Sequence, residues 1–330
     1  MNMRVTTAAL ALLAASVPAL AEVKLNDNFS VSGYVVGSYQ YTAPSAGADS
    51  DHLDLDAVKT TFTSNFKPVT GVISLYYPYT TSGGDKTITI LDAYATVDVG
   101  EGCSVTVGKF LSYLGYEAFD PVNMTQITYG APTSGPLFAI PAYHSGIRLD
   151  YGSDAHSFGI AAVDSVYNGP NIFKGDGELK DNIGYEAFYK FTGTKNLTLW
   201  AGVAYDTKGN LLAHNIVTLD FWGEYKITPN ATVALEYSNF DGGLGAKGDS
   251  WLAYLGYSFS EKTSCAFRVS GTSLESATKV ATGAANYIQY TVCPTYKITD
   301  NFSVRTEVSY YDYSKSGSTT FFGVQALFKF

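Results

Sequence analysis

The sequence predicts an all-β chain: a transmembrane antiparallel β-barrel of about 16 strands, with short periplasmic turns and long extracellular loops. Three observations carry that prediction. Apolar and polar residues alternate with period two along most of the chain. Turn residues break the alternation at regular intervals, and the connections alternate between tight and long. The last residue is a phenylalanine that continues the apolar face of the final strand.

At the N-terminus, Arg4 is followed by a small, apolar run over 8–17 and by Ala19-Leu20-Ala21, the order of parts in a secretory signal peptide. The apolar run is too short for a spanning helix, which needs about 20 residues. The expectation is a leader over 1–21 and a single barrel domain over 22–330.

The alternation is clearest in the second half. Phe322, Val324, Ala326, Phe328 and Phe330 share one face of the last strand, opposite Gly323, Gln325 and Lys329, with Leu327 breaking the polar side. Phe302, Val304, Val308 and Tyr310 oppose Ser303, Arg305, Glu307 and Ser309. Val217, Leu219, Phe221, Tyr225 and Ile227 oppose Thr218, Asp220, Glu224 and Lys226. Leu197, Leu199, Ala201, Val203 and Tyr205 oppose Thr198, Gly202 and Asp206, with Trp200 as an apolar exception.

Extended along the chain, this template places strands near 28–41, 53–66, 71–80, 87–99, 103–111, 142–152, 156–166, 181–192, 197–206, 214–227, 231–240, 249–260, 264–272, 285–298, 302–313 and 320–330. Seven connections are tight, among them Gly100-Glu101-Gly102, Thr228-Pro229-Asn230 and Thr299-Asp300-Asn301; eight are longer, the longest being 112–142. A soluble β-sandwich also has one apolar face per strand, but the asymmetric connections and the terminus favour a closed barrel. Closure removes the unpaired edge that hydrocarbon cannot solvate. Sixteen strands enclose more space than wall side chains fill, which leaves an aqueous lumen. Pro294 interrupts its strand, and a local bulge is expected there.

Composition agrees. Aromatics make up 15% of the residues, with 26 tyrosines suited to membrane-interface girdles. Removing the leader takes the formal charge from −9 to −10, and the absence of a basic stripe disfavours nucleic acid. Cys265 and Cys293 fall on opposite faces, which argues against a disulfide, and no cysteine spacing suits a metal. No cofactor is expected.

Val107-Gly108-Lys109-Phe110, then Gly115-Tyr116-Glu117, Asn123 and Tyr143-His144-Ser145-Gly146-Ile147-Arg148, resemble the OmpL-like putative β-barrel porin family. The resemblance is specific over about 90–152 and diffuse elsewhere. It implies a bacterial outer-membrane porin, a water-filled channel for passive diffusion of small hydrophilic solutes or ions. Similarity to 16-stranded general porins further implies a homotrimer. The C-terminal pattern, with Phe330 and Phe328, looks like the signal read by the barrel-assembly machinery; outer-membrane lipid is the remaining partner.

The 112–142 loop follows the fifth strand, where general porins fold a loop inward. Its Glu117 and Asp120 are candidate constriction acids, and Lys59, Lys109 and Arg148 are candidate bases opposite them. Arg148 is best placed, because Tyr143, Ile147, Leu149 and Tyr151 make the other face of its strand apolar.

Two other classes share the architecture: a barrel with a surface lipase or protease site, and a structural or adhesive barrel. His144 and Ser145 are adjacent and so point to opposite sides of a strand, which disfavours a lipase pair. His52 between Asp51 and Asp54 reads as a charged loop tip rather than as part of a protease centre.

Overall fold

The computed structural model describes residues 22–78, 87–134, 140–167, 183–209, 214–242, 247–276, 279 and 285–330; the expected leader over 1–21 lies outside them. A two-residue strand, β1 (Val23–Lys24), pairs with the start of β2. The barrel strands are β2 (Phe29–Pro44), β3 (Ser50–Phe66), β4 (Val69–Pro78), β5 (Thr89–Gly100), β6 (Cys103–Leu111), β7 (Tyr143–Gly152), β8 (His156–Val163) and β9 (Gly184–Thr194). They continue with β10 (Leu197–Gly209), β11 (His214–Thr228), β12 (Ala231–Asp241), β13 (Lys247–Ser258), β14 (Thr263–Leu274), β15 (Tyr287–Lys297), β16 (Phe302–Tyr313) and β17 (Gly317–Lys329). Two short helices, η1 (Pro121–Asn123) and α1 (Ala131–Ser134), lie in the connection between β6 and β7.

Each barrel strand pairs antiparallel with its sequence neighbours, and β17 pairs with β2, from Thr319↔Pro44 to Lys329↔Tyr34. The result is a closed 16-strand barrel whose ladder needs no partner from the hydrocarbon. The seam continues through the terminal residue: Gly33 N donates to Phe330 O at 2.7 Å, and Phe330 N to Gly33 O at 2.9 Å. Glycine is required at position 33. A Cβ there would lie 2.3 Å from Lys59 O and 2.7 Å from the Phe330 ring.

All seven tight connections fall where the turn residues place them. Between β5 and β6 the backbone takes positive φ at Glu101 and Gly102 (55° and 79°), the twist a two-residue hairpin demands. The opposite end is less asymmetric than expected. β2 and β3 pair through Thr42↔Ser50, and β16 and β17 through Tyr313↔Gly317, so only 45–49 and 314–316 remain as connections there.

Pro294 causes no bulge. It sits in register opposite Cys265, while the ladder to β16 passes from Val292↔Val308 to Thr295↔Arg305 and leaves Cys293 and Pro294 unpaired on that side. Cys265 lies beside exposed Phe267, and buried Cys293 is on the inner face; all three thiols are free.

Two faces follow from the period of two. Outward side chains such as Val35, Val107, Ile147, Phe158, Leu235 and Phe328 are exposed, and outward Tyr185, Tyr189, Tyr225 and Tyr290 add amphipathic rings. Inward positions carry small hydroxyls and charges: Ser38, Thr106, Ser157, Thr218, Ser238 and Ser309 are all buried.

Candidate functional site: a loop docked inside the barrel

The chain leaving β6 turns into the lumen instead of running outward. A backbone segment inside a barrel brings N–H groups that need acceptors. Here carboxylates of the inner wall provide them. Glu186 on β9 accepts from Ser112 Oγ at 2.5 Å and from Tyr113 N at 3.1 Å. Asp220 on β11 accepts from Gly115 N at 2.8 Å, and Glu236 on β12 from Tyr116 N at 2.8 Å. Glu307 on β16 takes Ile127 N, Thr128 N and the Thr128 hydroxyl. Where the acceptor is charged, such a hydrogen bond contributes about 1.5–3 kcal/mol. The loop is therefore pinned at several points around the circumference.

Wall cations hold the same segment from the other direction. The Arg268 guanidinium on β14 meets Glu117 Oε1 at 2.5 Å, donates to Thr128 O at 2.7 Å, and bonds the Thr128 and Thr291 hydroxyls. Glu117 Oε2 accepts from Gly130 N at 2.6 Å, which ties the two limbs of the loop together. Arg305 on β16 donates to Met124 O at 2.7 Å and Pro121 O at 3.0 Å, and its Nε reaches Gln325 Oε1. Lys59 on β3 lies 3.1 Å from Asp120 and 3.2 Å from Asp92, while Tyr34 OH donates to Asp120 at 2.9 Å.

Apolar contacts complete the docking. Leu114 packs with Phe110, Ala161, Val163, Val166, Trp200 and Ala204 in a cluster within the lumen. Val122 lies against Tyr34, Val36, Ala57 and Leu327. Trp200 and Leu327, the apolar exceptions on polar faces, are thus the places where the wall receives the loop. Tyr113 packs at a tilt against Phe188 and Tyr116 edge-on against Trp222, with ring centroids 4.6 and 5.5 Å apart. Burial, and then the neighbouring Asp150 and Glu224, push the hydroxyls of Tyr113 and Tyr116 far above the ordinary tyrosine range, so both remain donors.

A second connection also starts inward. Asp206 accepts from Ser165 Oγ, Val166 N and Tyr167 N, and the Tyr167 hydroxyl meets Thr218.

Of the five residues picked from the sequence, four face the lumen. Lys59 and Asp120 form one ion pair. Glu117 pairs with Arg268, which was not among the picks. Arg148 stands apart from both: its Nε is 3.2 Å from Asp150, and its guanidinium lies over Tyr94, Phe110 and Tyr113 at 4.8–5.8 Å. Lys109 corrects the expectation. It shares the outer face of β6 with exposed Val107, and its Nζ donates to Ile90 O at 2.8 Å, so it does not face the loop acids. Tyr143 also departs from the expected apolar outer face of β7. It is buried and packs edge-on against Phe119 at 5.1 Å, whereas Ile147 and Leu149 do point outward.

Arg268, Arg305, Glu186, Asp220, Glu236 and Glu307 were not singled out. Their signal lay in position: each occupies the polar face of an alternating strand, which in a barrel is the lumen. Among the described residues, no group of three or more metal-ligating side chains occurs.

A closed barrel with an apolar outer band, a polar lumen and a long loop tied inside it is the architecture of an outer-membrane diffusion channel. The family described as "Putative beta-barrel porin-2, OmpL-like" matches residues 28–330, and the chain belongs to it. The protein is a porin of the bacterial outer membrane with a passive channel role. Solved structures share the fold at low identity. The outer membrane channel DcaP of Acinetobacter baumannii is 11% identical with a TM-score of 0.68, over 92% of this chain and 97% of that one. OmpF of Salmonella typhi, in complex with daunomycin, is 15% identical at 0.70, over 94% and 100%. OprB of Pseudomonas putida is 10% identical at 0.71, over 92% and 94%. No curated protein sequence matches.

Proposed function

We propose that this porin passes small hydrophilic solutes or ions through a lumen whose width and charge are set by the part of the 112–142 loop that docks inside the barrel. The observation that supports this most strongly is the loop's double anchoring: its acids are held by wall cations, and its backbone N–H groups by wall carboxylates. A loop fixed this way is a stationary constriction. Glu117, Asp120, Lys59 and Arg148 contribute to the field at that level. Liposome swelling with sugars of increasing size tests the reading. A sharp size limit is expected, relaxed when the loop is shortened; a limit unchanged by shortening refutes it.

The chain works as a channel rather than as a surface lipase or protease. His144 is buried beside Glu186 at 3.4 Å, and His156 Nδ1 bonds the Tyr189 hydroxyl. Residues 1–21 act as the export leader, so N-terminal sequencing of the mature protein should begin at Glu22. A homotrimer is the working assembly; a trimer form is described for OmpT of Vibrio cholerae, which shares the fold at 14% identity and a TM-score of 0.61. Native mass measurement in detergent tests this, and a monomer refutes it.

A further inference from the structure

We infer that Arg148 is a binding subsite for the carboxylate of a permeating solute, its two terminal amino groups offered to the lumen as a planar fork. The inference rests on the porin reading above and adds the chemical class of the solute.

Among the described residues three arginines line the lumen, on β7, β14 and β16, and only Arg148 keeps donors to spare. Arg268 commits Nη1 to Glu117 and Thr128 O, and Nη2 to the Thr128 and Thr291 hydroxyls. Arg305 commits Nη1 to Met124 O, and Nη2 to Pro121 O and Gln325. Both serve loop docking and are buried. Arg148 retains 21% side-chain exposure, and neither Nη1 nor Nη2 has a hydrogen-bond partner among the described residues.

The group is already held in place. Its central carbon lies 4.8 Å from the Phe110 ring centroid, 5.6 Å from that of Tyr113 and 5.8 Å from that of Tyr94. Its Nε is 3.2 Å from Asp150 Oδ2, and Asp150 Oδ1 accepts from the Tyr113 hydroxyl at 2.6 Å. Strands β5, β6 and β7 and the docked loop thus fix the guanidinium before a solute arrives, which lowers the ordering cost of binding. A carboxylate fits the fork with two parallel, charge-assisted N–H···O bonds, a match that neither a chloride ion nor a lysine ammonium reproduces. Asp150 offsets part of the positive charge, so recognition lies in the paired hydrogen bonds more than in the net field. Neighbouring lumenal acids are engaged elsewhere: Asp92 by Lys59, and Glu186 by Ser112, Tyr113 N and His144.

The test uses the full-length protein in planar bilayers over a concentration series of potassium acetate and, separately, of potassium chloride. Heat-modifiable gel mobility confirms that each variant is folded. In wild type the acetate conductance should saturate, while the chloride conductance rises in proportion to concentration. Arg148→Lys keeps a positive charge and loses the fork, so its half-saturating acetate concentration should rise about tenfold, the worth of one charge-assisted hydrogen bond. Three results overturn the inference and leave the porin reading intact: acetate conductance linear in wild type, equal saturation in chloride, or equal saturation in wild type and Arg148→Lys. A folded wild type that conducts neither salt overturns both.

Discussion

Arg268 is the wall cation on which loop docking depends most, and replacing it with glutamine isolates that dependence. The guanidinium is 1% exposed and pairs with Glu117, whose side chain is 4% exposed. Removing one partner of such a buried pair leaves an uncompensated charge, at a cost of about 3–5 kcal/mol. The variant also loses donors to Thr128 O and to the Thr128 and Thr291 hydroxyls. The barrel ladder does not involve these groups, so the loss falls on the equilibrium between docked and undocked loop. With every ~1.4 kcal/mol worth a factor of ten, about 3 kcal/mol lowers the docked-to-undocked ratio roughly a hundredfold. Single-channel recording reads this directly: Arg268→Gln should add open-channel noise and larger conductance substates. Glu117→Gln should do the same to a smaller extent, because a neutral amide can still accept from Gly130 N. The double variant should be less perturbed than the sum of the two, as contacting residues are. Quiet wild-type conductance in Arg268→Gln, or strict additivity, would refute the reasoning.

Three further outcomes are expected. Gly33→Val places a side chain against Lys59 O and the Phe330 ring, so it should impair barrel closure and reduce the heat-modifiable fraction; normal yield would count against the seam geometry. Deleting Phe330 removes two backbone hydrogen bonds at the same seam and the end of the outward aromatic row, and the amount of folded barrel in the outer membrane should fall. Arg148→Gln should shift the reversal potential toward cations because it removes a lumenal charge, whereas Lys109→Gln should not, its amine lying on the outer wall; equal shifts would contradict the assignment of faces.

The barrel was legible because a period of two and turn chemistry are local properties. Register follows from them wherever one face is apolar, as in β16 and β17. The docked loop was legible only in outline. Its position after the fifth strand and its Glu117 and Asp120 were readable, but the partners Arg268 and Lys59 lie 151 and 61 residues away in sequence. Nothing local links such pairs. Two irregularities did carry the information: Trp200 and Leu327 are apolar where a solvated lumen wants polar residues, and both are where the loop packs. Nearness to the loop in sequence suggests Lys109 as a constriction base, but strand parity puts it outside. Val107 and Lys109 share one face, and Val107 is 55% exposed on the outside.

A porin of this design requires a continuous aqueous path through the barrel beside a fixed loop. Planar-bilayer recording of the purified, folded wild-type protein tests it most directly. Long-lived, discrete conductance steps that scale with salt concentration are expected. An intact, heat-modifiable barrel that inserts and yet conducts nothing would contradict it.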